Sequence, residues 1–188
     1  MRDILPILLC ATLTGIILSG CTPSFDSGYT RISNATLTSD LAQFPFPQSD
    51  PILTVSGLIQ SFNQGDTFVM DRDMIEAVGI VENSVLDPFE KVNYRFQGVL
   101  MRDLLNLWQV DPQATILDLK ALDGYRIELP IQIFRDYPVL FAIKQNDEYL
   151  PLNYRGPAML VFPYQDYQLP PSYTEQYWIW QITSITVR

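Results

Sequence analysis

The sequence lacks histidine altogether, and it contains only two cysteines, Cys10 and Cys21. Without histidine the chain cannot assemble a Ser-His-Asp or Cys-His catalytic centre, an imidazole zinc site or a histidine-based pH switch. Basic residues are also scarce, since 12 Lys and Arg stand against 21 Asp and Glu, for a formal charge of −9. A nucleic-acid-binding surface needs clustered positive charge, so the composition argues against a nucleic-acid partner.

The apolar content, in contrast, is sufficient for a folded core. The chain has 188 residues, of which 47% are hydrophobic and 12% are aromatic. This composition excludes a wholly disordered chain, and the length suits one globular domain.

The first twenty residues predict a lipoprotein signal peptide (residues 1–20). The mainly apolar stretch Ile4–Leu18 is short for a membrane span, and it leads into Leu18-Ser-Gly-Cys21, which resembles a bacterial lipobox. We therefore expect cleavage before Cys21, lipidation of that cysteine and a membrane-anchored lipoprotein facing the periplasm. Thr22 is not Asp, which favours the outer membrane if the organism is Gram-negative. An uncleaved anchor or ordinary cleavage is the alternative.

Residues 21–50 are expected to form a flexible tether that begins with the lipidated cysteine. This segment is rich in Ser, Thr, Asp, Pro and Gln, and it contains Phe44-Pro-Phe-Pro47 near its end. The folded domain is expected to span residues 51–188. Because Cys10 would be removed and Cys21 would carry lipid, no free thiol and no internal disulfide would remain.

Strand patterns dominate the rest of the chain. Ile116–Leu122 and Tyr125–Leu129 alternate between apolar and polar residues around Asp123-Gly124, which predicts a β-hairpin. The last segment, Trp178–Val187, also alternates, which predicts a strand with Trp178 and Trp180 on one face.

Helix patterns are few and short. Asp71 or Asp73 can cap a helix that ends before Gly79, and the apolar spacing over residues 99–108 predicts another. Together these patterns predict an α+β domain, a mixed β-sheet with about ten strands and a few short helices.

Four segments, in order, resemble the sulfite-oxidase-type molybdopterin-binding domain. Phe96–Leu105 is similar to its F-x-G-V-x-L-x-x-L-L segment, and Ala121–Tyr125 with Glu128–Pro130 is similar to its D-G-Y hairpin. Leu140–Ile143 with Glu148–Pro151 and Tyr154–Pro157 with Leu160–Pro163 are similar to its last two segments. The resemblance covers residues 51–188 and implies the α+β fold of that family, with oxidoreductase chemistry at molybdopterin.

The resemblance also implies a cysteine that this chain does not have. The enzymes of the family hold molybdenum through one cysteine thiolate between the first helix and the F-x-G-V strand. Here the corresponding stretch, Glu82–Lys91, has Ser84 as its only hydroxyl, and a neutral hydroxyl is a poor substitute for a thiolate. We therefore expect no catalytic residues, no metal site and no molybdopterin, and the prediction leans against an enzyme.

The sequence instead resembles the small, cysteine-less secreted branch of the family. Some of those proteins bind free pterins in the periplasm and report them to a membrane-bound signalling enzyme. A pterin is a flat heteroaromatic ring with a guanidine-like edge, which an aromatic face and a carboxylate would recognise. The candidate ligand-binding residues are therefore the aromatic side chains and nearby charges Phe89, Asp123, Tyr125, Arg155, Tyr164, Trp178 and Trp180.

Each candidate has a role and a structural alternative. Asp123 or Asp166 would accept hydrogen bonds from the amino edge of the ring, and Arg155 would donate to its oxo group or a phosphate. The alternatives are a turn aspartate, a structural ion pair and core tryptophans. At the level of the whole protein, the alternatives are a structural or assembly lipoprotein with a degenerate pocket, and an oxidoreductase that holds molybdopterin non-covalently.

Overall fold

The structure, a computed structural model, describes residues 28–169, 173 and 176–188. The strands in these residues are β1 Tyr29–Arg31, β2 Leu53–Gly57, β3 Phe68–Met70, β4 Val81–Leu86, β5 Asn93–Leu100, β6 Ile116–Ala121, β7 Arg126–Pro130, β8 Leu140–Gln145, β9 Glu148–Tyr149, β10 Met159–Val161 and β11 Ile182–Val187. The helices are α1 Arg72–Ala77, α2 Met101–Leu107 and α3 Gln132–Asp136. The predicted signal peptide and Cys21 lie outside the described residues.

The strands form two sheets. The first has the order β1-β4-β5-β8-β10, with β9 added to β8, and all of its pairs are antiparallel. The second has the order β3-β2-β11-β6-β7, in which β11 runs parallel to β2 and antiparallel to β6. The predicted α+β class with mixed β-sheet is therefore confirmed.

One hydrophobic cluster joins both sheets and the helices. It contains fully buried side chains from the second sheet, the first sheet and the end of α2. They are Val55 and Ile185, Val99 and Phe141, and Trp108. Strand β2 buries every second residue, whereas the central strand β8 buries four in succession, which is typical of a strand covered on both faces. Both patterns follow from where the apolar residues stand in the sequence.

The helices are short and depend on local caps and packing. Asp71 is the N-cap of α1, where its side chain accepts a hydrogen bond from the Met74 amide at 2.9 Å, and Gly79 follows with a φ of +106°. A positive φ suits glycine because it has no Cβ, so the predicted start and end of α1 are confirmed. In the described part of the chain, no helix is long and apolar enough to cross a bilayer.

The predicted flexible tether is wrong over residues 28–50, which pack against the domain. Tyr29 is buried in β1 on the edge of the first sheet, and the amides of Thr36 and Leu37 donate to the Ala77 carbonyl at 2.7 and 2.8 Å. The ring of Phe44 packs on Phe68 with centroids 5.0 Å apart. The polar composition indicated irregular backbone, but the buried side chains of Tyr29 and Leu37, the Phe44 ring and these backbone hydrogen bonds hold the segment on the domain. The folded domain therefore includes residues from 28–50 and does not begin near Pro51.

Candidate functional site

A tight turn after β4 presents Phe89 to solvent. The Asp87 carboxylate accepts hydrogen bonds from the amides of Phe89 and Glu90, each at 2.8 Å, and the Asp87 amide donates to the Val92 carbonyl. Asp87 itself is fully buried, whereas the Phe89 side chain is 48% exposed. The hydrogen bonds of Asp87 thus fix the backbone of the turn, and the Phe89 ring points to solvent.

Phe89 stands beside two tryptophans that arrive from the other end of the chain. Its ring lies 5.4 Å from Trp180 and 6.5 Å from Trp178, both in edge-to-face geometry. Tyr125 and Asp123 come from the β6–β7 hairpin and line the same space. These five residues surround an open cavity of about 340 Å³, which we call the aromatic cavity. The structure therefore brings five of the seven candidate residues together, and their role in binding stays a prediction.

The carboxylate of Asp123 serves the hairpin as well as the cavity. One of its oxygens accepts a hydrogen bond from the Tyr125 amide at 2.9 Å, the Asx-turn geometry of a hairpin aspartate. Tyr125 is 55% exposed, so its ring is available to a molecule in the cavity. Asp123 can therefore stabilise the hairpin turn and also contact a ligand in the cavity.

The tryptophans are not in a strand, contrary to the prediction. Strand β11 begins only at Ile182, because Gln181 has a φ of +56° and interrupts the extended backbone. Trp178 is buried and Trp180 is half-buried. The indole nitrogens of both are buried without a hydrogen-bond partner in the described residues. Each indole therefore has a buried N–H donor that no described residue uses.

Arg155 does not face the cavity. Its guanidinium is fully buried, with Nη1 at 2.5 Å from Asp87 and Nη2 at 3.0 Å from Glu90. Its Cζ also lies 4.6 Å from the Trp180 ring and 4.8 Å from the Tyr154 ring. The expected role as a ligand donor is therefore corrected: Arg155 makes the structural ion pair that was the alternative, and it supports the cavity wall from behind.

Tyr164 and Asp166 also lie elsewhere than expected. The Tyr164 hydroxyl donates to the Leu86 carbonyl, and its ring is 6.3 Å from Trp178, but Tyr164 does not line the cavity. Burial raises the pKa of Tyr164. The Asp166 carboxylate lies 3.4 Å from the Asn83 amide and close to Gly28. Both residues fix the 164–169 segment on β4 and are not part of the cavity.

Two tyrosines that the sequence analysis missed complete the support of the Phe89 turn. The hydroxyls of Tyr154 and Tyr94 both donate to Glu90, and these hydrogen bonds lower the pKa of that carboxyl, with Tyr154 making the larger contribution. Tyr94 follows Glu90 by four residues, but the pairing depends on the turn between them. For Tyr154, the adjacent candidate residue Arg155 was the one feature of the local sequence that pointed to this site.

The described residues contain no cluster that could hold a metal ion. No group of three Cys, Asp or Glu side chains in residues 28–169 and 176–188 has suitable geometry. Ser84, the hydroxyl in the stretch where the family has its cysteine, is exposed on β4.

Comparison with known proteins places this domain in a family. The family model described as "Oxidoreductase molybdopterin binding domain" matches residues 71–168, which is more than half of the chain. The chain belongs to this molybdopterin-binding domain family.

A solved structure supports the same fold. The sulfane dehydrogenase SoxCD from Paracoccus pantotrophus superposes with a TM-score of 0.54 at 16% sequence identity, over 72% of this chain and 37% of that one. The chain thus spans just over a third of the protein it matches. No curated protein sequence matches it. Together the comparisons confirm the sulfite-oxidase-type fold of this molybdopterin-binding-type domain.

Membership of this family implies molybdopterin as a cofactor. The residues present do not fit the form of that cofactor in which a cysteine ligates the metal. Residues 22–188 contain no thiol, so the family's molybdenum ligand has no counterpart. Arg155, which packs on the cavity residue Trp180, is already paired with Asp87 and Glu90, and a phosphate cannot displace two carboxylates without exposing them. The aromatic cavity suits a flat neutral ring better than a phosphorylated metal complex.

Proposed function

We propose that this protein is a ligand-binding module that binds a pterin or a related heteroaromatic molecule in the aromatic cavity. The observation that carries the proposal is the convergence of Phe89, Tyr125, Trp178 and Trp180 with one carboxylate on a cavity of about 340 Å³. That volume is at the lower end of small-molecule sites. No thiolate is available for molybdenum catalysis, so binding is the activity that these residues support.

The chemistry of a pterin matches this lining group by group. The exposed rings of Phe89 and Tyr125 offer faces on which a flat heteroaromatic ring can stack. Asp123 can accept hydrogen bonds from the amino edge. The unpartnered indole N–H groups of Trp178 and Trp180 can donate to ring oxygen or nitrogen after a small side-chain adjustment.

The proposal includes an anchor and a partner. Lipidation of Cys21 would hold the domain at the periplasmic side of a membrane, the outer membrane in a Gram-negative cell, where it would report the ligand to a membrane-bound signalling protein. The Leu18-Ser-Gly-Cys21 sequence supports the anchor. Cys21→Ser should abolish palmitate labelling and leave the apolar segment before residue 21 uncleaved, which mass measurement detects. Palmitate labelling that persists in Cys21→Ser, or its absence from the wild-type protein, would reject the lipid anchor.

The ligand is tested on the full chain, purified in detergent from cells that make molybdopterin. The protein is denatured, and the released material is analysed for pterin fluorescence and for molybdenum. Pterin without molybdenum is the expected result. Molybdenum in stoichiometric amount would reject the proposal and restore the oxidoreductase with a non-covalently held cofactor, which family membership permits.

A preparation without either is then titrated with biopterin. Saturable binding below about 1 mM supports an exchangeable ligand, and its absence rejects the proposal. The second candidate, a structural lipoprotein with a degenerate pocket, would then be favoured. One observation already points that way, because Arg155 and Tyr164 turn inward and fill space behind the cavity wall.

A further inference from the structure

A second, larger groove of about 930 Å³ lies over the parallel strands β2 and β11. It shares no lining residue with the aromatic cavity among the described residues. Gln181 stands between the two, since it lines the aromatic cavity and its side chain donates to the carbonyl of Leu152, a residue of the groove, at 2.7 Å. The groove is therefore a separate candidate site.

Two hydroxyl groups on the sheet face the groove. Thr54 and Ser184 are register partners on the adjacent parallel strands, so their side chains lie on the same face of the sheet. The next pair along, Ser56 and Thr186, is joined by a hydrogen bond of 3.3 Å. Within the described residues the hydroxyls of Thr54 and Ser184 have no partner. They can bind the amide groups of a ligand.

Arg72 lines the same groove and packs on an aromatic ring. Its guanidinium carbon lies 4.5 Å from the centroid of the Tyr149 ring. Glu76, one turn further along α1, forms an ion pair with Lys144 at 2.8 Å and accepts a hydrogen bond from the Tyr149 hydroxyl at 2.6 Å. No carboxylate in the described residues is within ion-pair distance of Arg72. The stacking holds a cation in place for an external anion.

Two carboxylates complete the charge pattern. Asp50 and Asp73 line the groove, are exposed, and have no ion-pair partner in the described part of the chain. A simple anion would gain from Arg72 and lose to both aspartates, and a simple cation would face the reverse. A molecule that carries one charge of each sign gains from all three side chains.

The remaining lining is apolar and exposed. Leu122 and Leu152 are each 55% exposed, and Tyr149 is 41% exposed. Burying these side chains against apolar groups of a ligand would be favourable. The groove therefore combines amide-binding hydroxyls, separated charges of both signs and apolar contact area.

We propose that this groove binds a short zwitterionic peptide with apolar side chains. Its carboxylate would pair with Arg72, its ammonium group with Asp50 or Asp73, and its side chains would cover Leu122 and Leu152. The volume favours a peptide of a few residues over a single amino acid, since it is almost three times that of the aromatic cavity. This site is independent of the proposed pterin ligand.

The test is calorimetric titration of the full chain with trileucine, with free leucine, and with N-acetyl-trileucine amide, which lacks both charges. Trileucine should bind saturably below about 1 mM, and the capped peptide should bind at least about tenfold more weakly. Arg72→Gln should weaken trileucine binding by about tenfold or more. Arg135→Gln, which removes an exposed arginine on α3 outside the groove, should leave binding unchanged.

Any one of the following results would overturn the proposal. They are no saturable binding of trileucine, equal binding of the capped peptide, and full binding by an Arg72→Gln protein with wild-type thermal stability. Leucine binding as tight as that of trileucine would reject the peptide in favour of a single amino acid. Biopterin binding is measured on the same samples, so the two proposals can fail separately.

Discussion

The Nη1 atom of Arg155 lies 2.5 Å from Oδ2 of Asp87, and both side chains are completely buried. The other oxygen of Asp87 holds the amides of Phe89 and Glu90. Arg155 thereby ties the segment before β10 to the turn after β4, and the same guanidinium packs under Trp180. A single ion pair thus sets the position of two walls of the aromatic cavity.

Removing one member of this pair should be severely destabilising. Arg155→Ala leaves Asp87 as an uncompensated buried charge, and we expect a loss of about 3–5 kcal/mol in the free energy of unfolding, measured by urea denaturation. Arg135→Ala, an exposed arginine of α3, should change it by about 0.5 kcal/mol or less. A loss below about 1 kcal/mol for Arg155→Ala would show that the pair is solvated in solution.

Ligand binding should depend on the exposed ring of Tyr125 and not on the exposed ring of Tyr149 in the separate groove. Tyr125→Ala removes a stacking surface from the aromatic cavity, so biopterin affinity, measured by fluorescence titration, should fall by about tenfold. Tyr149→Ala, which alters the separate groove, is the matched control and should leave the affinity unchanged. Equal effects of both variants would place the ligand outside the aromatic cavity.

Much of the fold could be predicted because it depends on adjacent residues. The cap at Asp71, the glycine after α1 and the hairpin around Asp123 each need only a few neighbouring side chains, and each is present. The order of the four family-like segments then indicated the sulfite-oxidase-type fold as a whole, which the comparisons confirm.

The candidate site was only partly predictable, because its charges are paired over long distances in sequence. The sequence does not show whether an arginine binds a ligand or pairs with a distant carboxylate. Arg155 pairs with Asp87, which is 68 residues away in sequence. Likewise, the composition of residues 28–50 gave no sign that Tyr29, Leu37 and Phe44 would meet apolar partners. In both cases tertiary contacts decide the outcome, and local sequence does not encode them.

The packing of residues 28–50 should depend on Asp71. Its buried carboxylate accepts hydrogen bonds from the amides of Gln48 at 2.7 Å and Ser49 at 3.0 Å, besides capping α1. Asp71→Ala should therefore cost about 1–3 kcal/mol and should speed proteolytic cleavage within residues 38–50. Asp73→Ala, an exposed residue that makes no cap hydrogen bond, should have little effect. Wild-type proteolysis of Asp71→Ala would mean that the segment is held by its apolar contacts alone.

Stability should fall in acid partly through Glu90. Hydrogen bonds from Tyr154 and Tyr94 lower the pKa of Glu90 below its usual value, so the folded state favours the ionised carboxyl. A lowered folded-state pKa contributes stability that is fully present above the unfolded pKa, near 4.5, and is lost as the pH falls through the folded value. In urea denaturation at a series of pH values, the stability difference between wild type and Glu90→Gln should therefore shrink below about pH 4.5. Tyr94→Phe, which removes one donor, should reduce the difference in part. A difference that stays constant from neutral pH into this acid range would show that the ionised carboxyl is not preferred in the folded state.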